Sequence, residues 1–424
     1  MLATAIGAVC LPQDAAAVAG FSRQMNMECM ACHNQTMRQL NAFGRLFASS
    51  GYTMTGGPQA SSMIEGAKLG LGMPAALNAS VMLKARYEKS FDKQTPKDTS
   101  LEDVGTDRGS LELFKASRIF LGGRVADNFG ALANFNTESW GAKVVGAFEY
   151  GDGYAGGVLF MQEDSGPFSG MEYYNTGLYK PLRLFESRKS GNAAQATKVG
   201  SGPASGGQLY YGGTNLYATV GAYVPAVGGK DGLDVGTDFI PFGRVAYEYD
   251  FDFGSLMIGG YLIKGEARLT EASLDGDDET KPQPSTAVFV SIEKDVYGFD
   301  MDYNTEIMAM PLEVVLQAVL KNHTKIDPDP ALLTLPDGYV NTENKATSLE
   351  FQLTPIPELA VRASAMRYLD DLDGDLSERT VAFGLDYIVR QNIIAGMEYT
   401  FHTFEDTSSV SDYKELYLEL VLAF

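Results

Sequence analysis

The sequence predicts an all-β chain, a transmembrane β-barrel of about 16 antiparallel strands with a short α-helical segment ahead of it. Three observations predict this. The 424 residues include Gly 46, Tyr 22, Phe 23 and one Trp, with 21% charged, a glycine- and aromatic-rich mix that leans to β-structure. From about residue 77 onward, segments of roughly ten alternating residues are separated by connections that are short and long in turn, the signature of a barrel with tight turns at one end and loops at the other. The chain also ends on such a segment. No run of 18 apolar residues occurs, so no helix is expected to span a membrane, and barrel strands hide their lipid face in alternation.

Residues 1–19 read as a secretory signal. Ala3 to Leu11 is a short apolar core, and Ala17-Val18-Ala19 offers a small-residue cleavage site, although the basic n-region is missing. Cys10 would leave with the signal. The alternative, a lipid-modified cysteine, is poorly matched by the preceding Gly7-Ala8-Val9.

Residues 20–75 form the second unit. Cys29-Met30-Ala31-Cys32-His33 has the spacing that attaches a c-type haem. Two thiols three residues apart on a tight turn add to the two vinyl groups of one porphyrin, and the next histidine ligates its iron. A dithiol redox pair or half a zinc site is the bland alternative. A closed zinc site would need more ligands, but only Cys10, His323 and His402 remain in the chain. One covalent haem c is therefore expected, held by Cys29 and Cys32, with His33 as proximal iron ligand and redox-active residue. For the distal position Met54 is the first candidate, since a thioether raises the potential and the linker can fold back over the iron. His402, beside Glu398 and Thr400 on a lumen face, is the other. After the motif, Met37, Leu40, Phe43 and Phe47 fall at helical spacing, and Gly51, Gly56, Gly57 and Pro58 end the run. One helix cannot bury a porphyrin, so the haem segment is expected to plug the lumen of the barrel built by the remaining chain.

Residues 76–424 form the barrel unit. Leu349, Phe351 and Leu353 alternate with Ser348, Glu350 and Gln352 between Ala346 and Thr354. Val245, Tyr247 and Tyr249 alternate with Arg244, Ala246 and Glu248. Between Arg379 and Arg390, Val381, Phe383, Leu385, Tyr387 and Val389 alternate with small or charged residues, which suits a wet lumen. Tight turns are expected at Asp127-Asn128, Asp152-Gly153, Asp250 to Phe253, Pro355 to Glu358 and Arg390 to Asn392. Long loops are expected at Ser90 to Arg108, Gly265 to Pro284, Lys321 to Lys345, Asp370 to Glu378 and Glu405 to Ser411. The tract Ser187 to Gly207, rich in Gly, Ser and Ala, blurs the strand register between Glu163 and Gln208. The last segment, Asp412 to Phe424, puts Leu416, Leu418, Leu420, Leu422 and Phe424 on one face, which resembles the terminal signal read by the outer-membrane assembly machinery.

The formal charge of −21 excludes nucleic acid, whose phosphates demand a basic footprint. Acidic runs at Asp370 to Asp375 and Asp275 to Glu279 put hard oxygen donors in loops that would collect ferrous iron or calcium, or serve only as solvated loops.

The order of FSRQ, CMACH, QLNAFGRLF, SGYTMTGG and PAALNASVMLKARYEKS resembles the fused monohaem cytochrome-porins of the outer membrane of iron-oxidising bacteria. The resemblance implies a barrel of about sixteen strands in outer-membrane lipid with the haem segment in its lumen. It also implies oxidation of extracellular Fe(II), with a soluble periplasmic cytochrome c as electron acceptor. Two alternatives stand beside it: a general extracellular electron conduit with other partners, and a diffusion porin whose haem is structural.

Overall fold

The computed structural model describes residues 20–34, 39–55, 78–91, 109–114, 116–137, 139–186, 191–227, 238–270, 289–327, 341–371, 376–390, 392–405 and 412–423. Alternation builds one closed antiparallel barrel. In chain order its strands are β1 (Ala79–Phe91), β2 (Gly109–Leu113 and Arg118–Ala126), β3 (Phe129–Phe135), β4 (Trp140–Tyr150), β5 (Gly153–Gln162), β6 (Ala204–Gly212), β7 (Leu216–Val224) and β8 (Ile240–Phe251). They continue as β9 (Gly254–Thr270), β10 (Phe289–Ile307), β11 (Met310–Asp327), β12 (Thr342–Ile356), β13 (Leu359–Asp370), β14 (Leu376–Arg390), β15 (Ile393–Glu405) and β16 (Tyr413–Ala423). The two pieces of β2 both pair with β1, at Ala85–Lys89 and at Ala79–Met82. They are one strand broken by a bulge at Phe114, whose positive φ turns the backbone. Counted so, the strands number sixteen. Closure is by β16 on β1, with Leu420 opposite Ala85 and Ala423 opposite Met82.

The alternation read from the sequence sets the two faces. Leu349, Phe351, Val245, Tyr247, Val381 and Phe383 point outward, while Ser348, Glu350, Gln352, Arg244 and Glu248 are buried inside. An outer face of exposed apolar side chains over a polar interior is the inverse of a soluble sandwich, and it places these strands in lipid. Tyr249, Phe251 and Phe253 stack beside one turn and Tyr150 meets Tyr211 beside another, the aromatic girdle expected at a membrane interface.

The short β3–β4 connection, where the Asn136 amide donates to the Ser139 carbonyl at 2.9 Å, lies at one end, and the two- and three-residue turns all lie at the other, which marks that end as periplasmic. Two of them are not among those expected from the sequence. The β10–β11 turn is Met308-Ala309, both with positive φ, a conformation usually left to Gly or Asn. The β6–β7 turn spans 213–215. The long loops are shorter than the sequence suggests. Strand β9 runs on to Thr270, β11 to Asp327, and β14 resumes at Leu376, because hydrogen bonding to neighbours carries pairing past polar residues. The loop runs at 275–279 and 372–375 lie outside the described residues, as do residues 1–19.

Among the described residues, the uncertain stretch between Glu163 and Gln208 contains no strand until Ala204. Residues 163–186 and 191–203 fold inward across the lumen. Arg244 on β8 bonds Glu172 at 2.6 Å and Asp300 on β10 at 2.5 Å, with none of the three side chains exposed. Asn175 donates to Glu313 on β11 at 3.1 Å, and Asn192 donates to Glu350 on β12 at 2.8 Å. The Glu186 amide donates to Glu398 on β15 at 2.7 Å, and its carboxylate meets Lys84 on β1 at 3.2 Å. Arg362 on β13 binds Asp386 and Glu398 at 2.7 and 3.1 Å and also donates to the Leu184 carbonyl. These contacts reach strands around most of the wall, and within the tract that blurred the register Gly191 packs against Phe185 and Ser364 and Gly200 against the Gly177 carbonyl.

Candidate functional site

The site is built at the periplasmic end of the lumen, from residues 20–34 and 39–55. Helix α1 (Gly20–Met25) leads into a 3-10 turn at Cys29–Ala31, and helix α2 (Ala42–Ser49) follows. The sequence pattern placed Leu40 on this helix. The structure starts α2 later, because Asn41 caps it and Leu40 instead joins Gln39 in a two-residue ladder with His33 and Asn34. Met37 lies outside the described residues.

Asn41 ties the turn to the helix. Its Oδ1 accepts from the Gly44 amide at 2.9 Å, its Nδ2 donates to the Ala31 carbonyl at 3.0 Å, and its own amide donates to the Cys32 carbonyl at 3.0 Å. A Cβ at Gly44 would land on that Cys32 carbonyl oxygen, so only glycine lets α2 approach so closely. Cys29 and Cys32 are half-buried thiols that form no disulfide. Burial, then the neighbouring Cys29, pushes the Cys32 thiol up.

His33 Nδ1 lies 3.0 Å from the Gln39 carbonyl. A carbonyl only accepts, so Nδ1 carries the proton and Nε2 keeps its lone pair. Burial lowers the His33 pKa, with the Gln39 bond opposing, and so favours the neutral ring that can ligate a metal. Gln39 is itself fixed by the barrel. Its Nε2 donates to Glu313 at 2.7 Å and its Oε1 accepts from Gln352 at 2.6 Å. The Asn175 side chain of the inward loop bonds both backbone groups of Leu40, at 3.0 and 3.2 Å. Arg45 on α2 pairs with Glu248 at 2.8 Å and stands over the Tyr174 ring.

Opposite, Phe21, Phe47 and Tyr52 pack as one aromatic cluster, and the Ser49 carbonyl accepts from Tyr210 on β6 at 2.6 Å. Gln24 donates to the Tyr52 and Met54 carbonyls at 2.6 and 2.7 Å and accepts from the Arg124 amide on β2 at 3.0 Å. Met54 is thus anchored toward β2, and His33, through Gln39, toward β11 and β12 on the far side of the ring of strands. His402 does not join them. It lies near the outer end of β15, stacked on Tyr413 at 4.1 Å, with Nδ1 at 2.6 Å from Glu378 on β14. The bis-histidine arrangement is excluded because the two rings sit near opposite ends of the lumen.

Sequence reasoning missed Gln39, Asn175, Glu313 and Gln352 as supports of His33. Glu350 and Gln352 were legible as lumen-facing, but which lumen residue meets which segment is a matter of barrel closure.

No family model matches the chain, and no curated protein matches it. Among solved structures, OmpTdeltaL8, a loop L8 deletion mutant of the outer membrane protein OmpT of Vibrio cholerae, is similar at 10% identity and a TM-score of 0.48, covering 82% of this chain and 99% of that one. An anion-selective porin from Comamonas acidovorans is similar at 13% identity and a TM-score of 0.46, covering 82% and 99%. The outer membrane channel DcaP of Acinetobacter baumannii is similar at 12% identity and a TM-score of 0.46, covering 82% and 97%. By its own strand pairing, its lipid-facing exterior and its polar lumen, the chain is a sixteen-stranded, porin-like barrel of the bacterial outer membrane.

Proposed function

We propose that the chain is an outer-membrane electron-transfer protein. In this reading it carries one covalent c-type haem on an N-terminal segment that plugs the lumen, oxidises extracellular Fe(II), and passes electrons to a periplasmic cytochrome c. The observation that carries the reading is the turn at Cys29–His33, with two thiols and an imidazole whose Nδ1 bond leaves the lone pair on Nε2, set among lumen-facing side chains. These residues fit the group: Cys29 and Cys32 would hold it by thioethers and His33 Nε2 would ligate its iron. When bound, the haem supplies a centre that gains and loses one electron. The chain's own part is to orient His33 through Gln39 and to fill part of the inner end of the lumen with Arg45 and Gln39. Each Fe(II) that gives up one electron leaves as Fe(III).

Anaerobic mixing of the oxidised, haem-loaded protein with a ferrous salt is the test. The haem bands are expected to shift to the reduced form, and a spectrum that ferrous iron leaves unchanged overturns the reading. A second reading, a diffusion porin with a structural haem, is favoured by the porin-like barrel itself. An electron conduit with other donors shares the architecture, and comparing ferrous iron with other reductants separates it.

A further inference from the structure

The lumen face of β9 to β12, toward their outer ends, carries a cation that no described residue pairs. Lys294 on β10 stands in register with Gly265 on β9 and with Thr324 on β11, and Thr324 stands in register with Thr342 on β12. Glycine, lysine and two threonines thus form one row across four strands, at steps of about 4.8 Å. Ala267, Ile292 and Ile326 flank the row on its outer side, and Ile263 and Val296 flank it on its inner side. All five are buried, so the ammonium is set in an apolar frame. Among the described residues Lys294 makes no hydrogen bond and no ion pair, and the buried Oγ1 of Thr342 has no partner. On the outer face of the barrel at this level Asp295 pairs with Lys264 at 3.8 Å and with Lys321 at 2.6 Å, charges that place the row beyond the hydrocarbon layer. Burial there pulls the Lys294 pKa down to about 8, which leaves the ammonium as its main form at pH 7.

The row lines a cavity of about 320 Å³, bounded on the side of the inward loop by Val199 and Pro203, a volume in the range of small-molecule sites. The other charged groups on it are engaged or exposed. Asp164 holds Lys180 at 2.5 Å and Arg118 at 2.9 Å, Glu163 accepts from the Trp140 amide at 2.8 Å, and Lys198 is exposed. We propose that this cavity binds a short aliphatic monocarboxylic acid, with Lys294 as counter-ion to the carboxylate, the Thr324 and Thr342 hydroxyls as its donors, and the isoleucine and valine frame around its tail. One ammonium and two hydroxyls are a donor set for the two oxygens of one carboxylate. A doubly charged oxyanion would bring a second charge into a frame whose row holds a single cation. An uncharged alcohol would leave the ammonium unpaired. The site uses neither a haem nor ferrous iron, so it stands or falls apart from the proposed electron transfer.

The test is protection of Lys294 from acetylation by an N-hydroxysuccinimide ester, read by peptide mass on the full chain in detergent at pH 7, with hexanoate as the probe. Saturating hexanoate is expected to slow modification of Lys294 about tenfold and to leave Lys264, on the outer face, unchanged. Acetate, four methylenes shorter, is expected to need about 100-fold more for the same protection, and hexanol and inorganic phosphate are expected not to protect. Thr342→Val is expected to raise the hexanoate concentration for half-protection about tenfold. Its Lys294 is expected to be acetylated as fast as in the wild type when hexanoate is absent, which reports an intact row. A Lys294 that stays unmodified without hexanoate would show a cavity closed to water and overturn the proposal. Hexanoate that gives no protection, or phosphate that protects as well as hexanoate, would overturn it too.

Discussion

At the scale of single residues, Asn41 concentrates more of the site than any other side chain outside the Cys29–His33 motif. It caps α2 and bonds the backbone of the Cys29–Cys32 turn at Ala31 and Cys32. Asn41→Ala removes the cap, which costs about 0.5–2 kcal/mol, and frees the turn that must present both thiols to one ligand. A lower ratio of covalent haem to protein is expected, measured by the haem bands after denaturation. A ratio equal to wild type would mean that the turn holds its shape without Asn41. The proposal for Cys29, Cys32 and His33 rests on adjacent spacing that the sequence displays, whereas the pairing of Gln39 with Glu313 spans 274 positions of sequence and leaves no local trace.

Among the elements, the loop of residues 163–203 decides what the lumen is. A hairpin connection of that length with no strand among its described residues is uncommon unless it has a role, and here it is pinned by buried ion pairs. Arg244 is held between Glu172 and Asp300 with no exposure. Arg244→Met leaves both carboxylates buried without their cation, a change that costs about 3–5 kcal/mol. Because the pair joins loop to wall, the expected outcome is a lower melting temperature together with a larger single-channel conductance. Loss of stability with unchanged conductance would show that the loop stays in place without Arg244. The Gly-rich tract hid this element from sequence reading, since a loop that folds inward and a weak strand share the same small residues.

For the molecule as a whole, the question is whether ions or only electrons cross. The inward loop bonds to strands around most of the wall, and residues 20–34 and 39–55 occupy part of the inner end below it. The protein is therefore expected to conduct little in planar bilayers. A large, steady open channel would favour the diffusion-porin reading over electron transfer.

The sequence by itself determined the barrel class and nearly every face, because the side-chain period of a strand is two and lipid on one side with water on the other leaves a readable pattern. It also displays the Cys29–His33 spacing on which the proposed haem rests, because two thiols and an imidazole that share one ligand must be close along the chain. Only the tertiary structure decided the strand count across 163–203, the turn at Met308-Ala309, the separation of His402 from His33, and the supports of each histidine. Those depend on closure, which brings β16 to β1 and carries the segment that precedes β1 into contact with β11 and β12. Contacts between residues hundreds of positions apart are fixed by the geometry of the closed cylinder, and no periodicity along the chain records them.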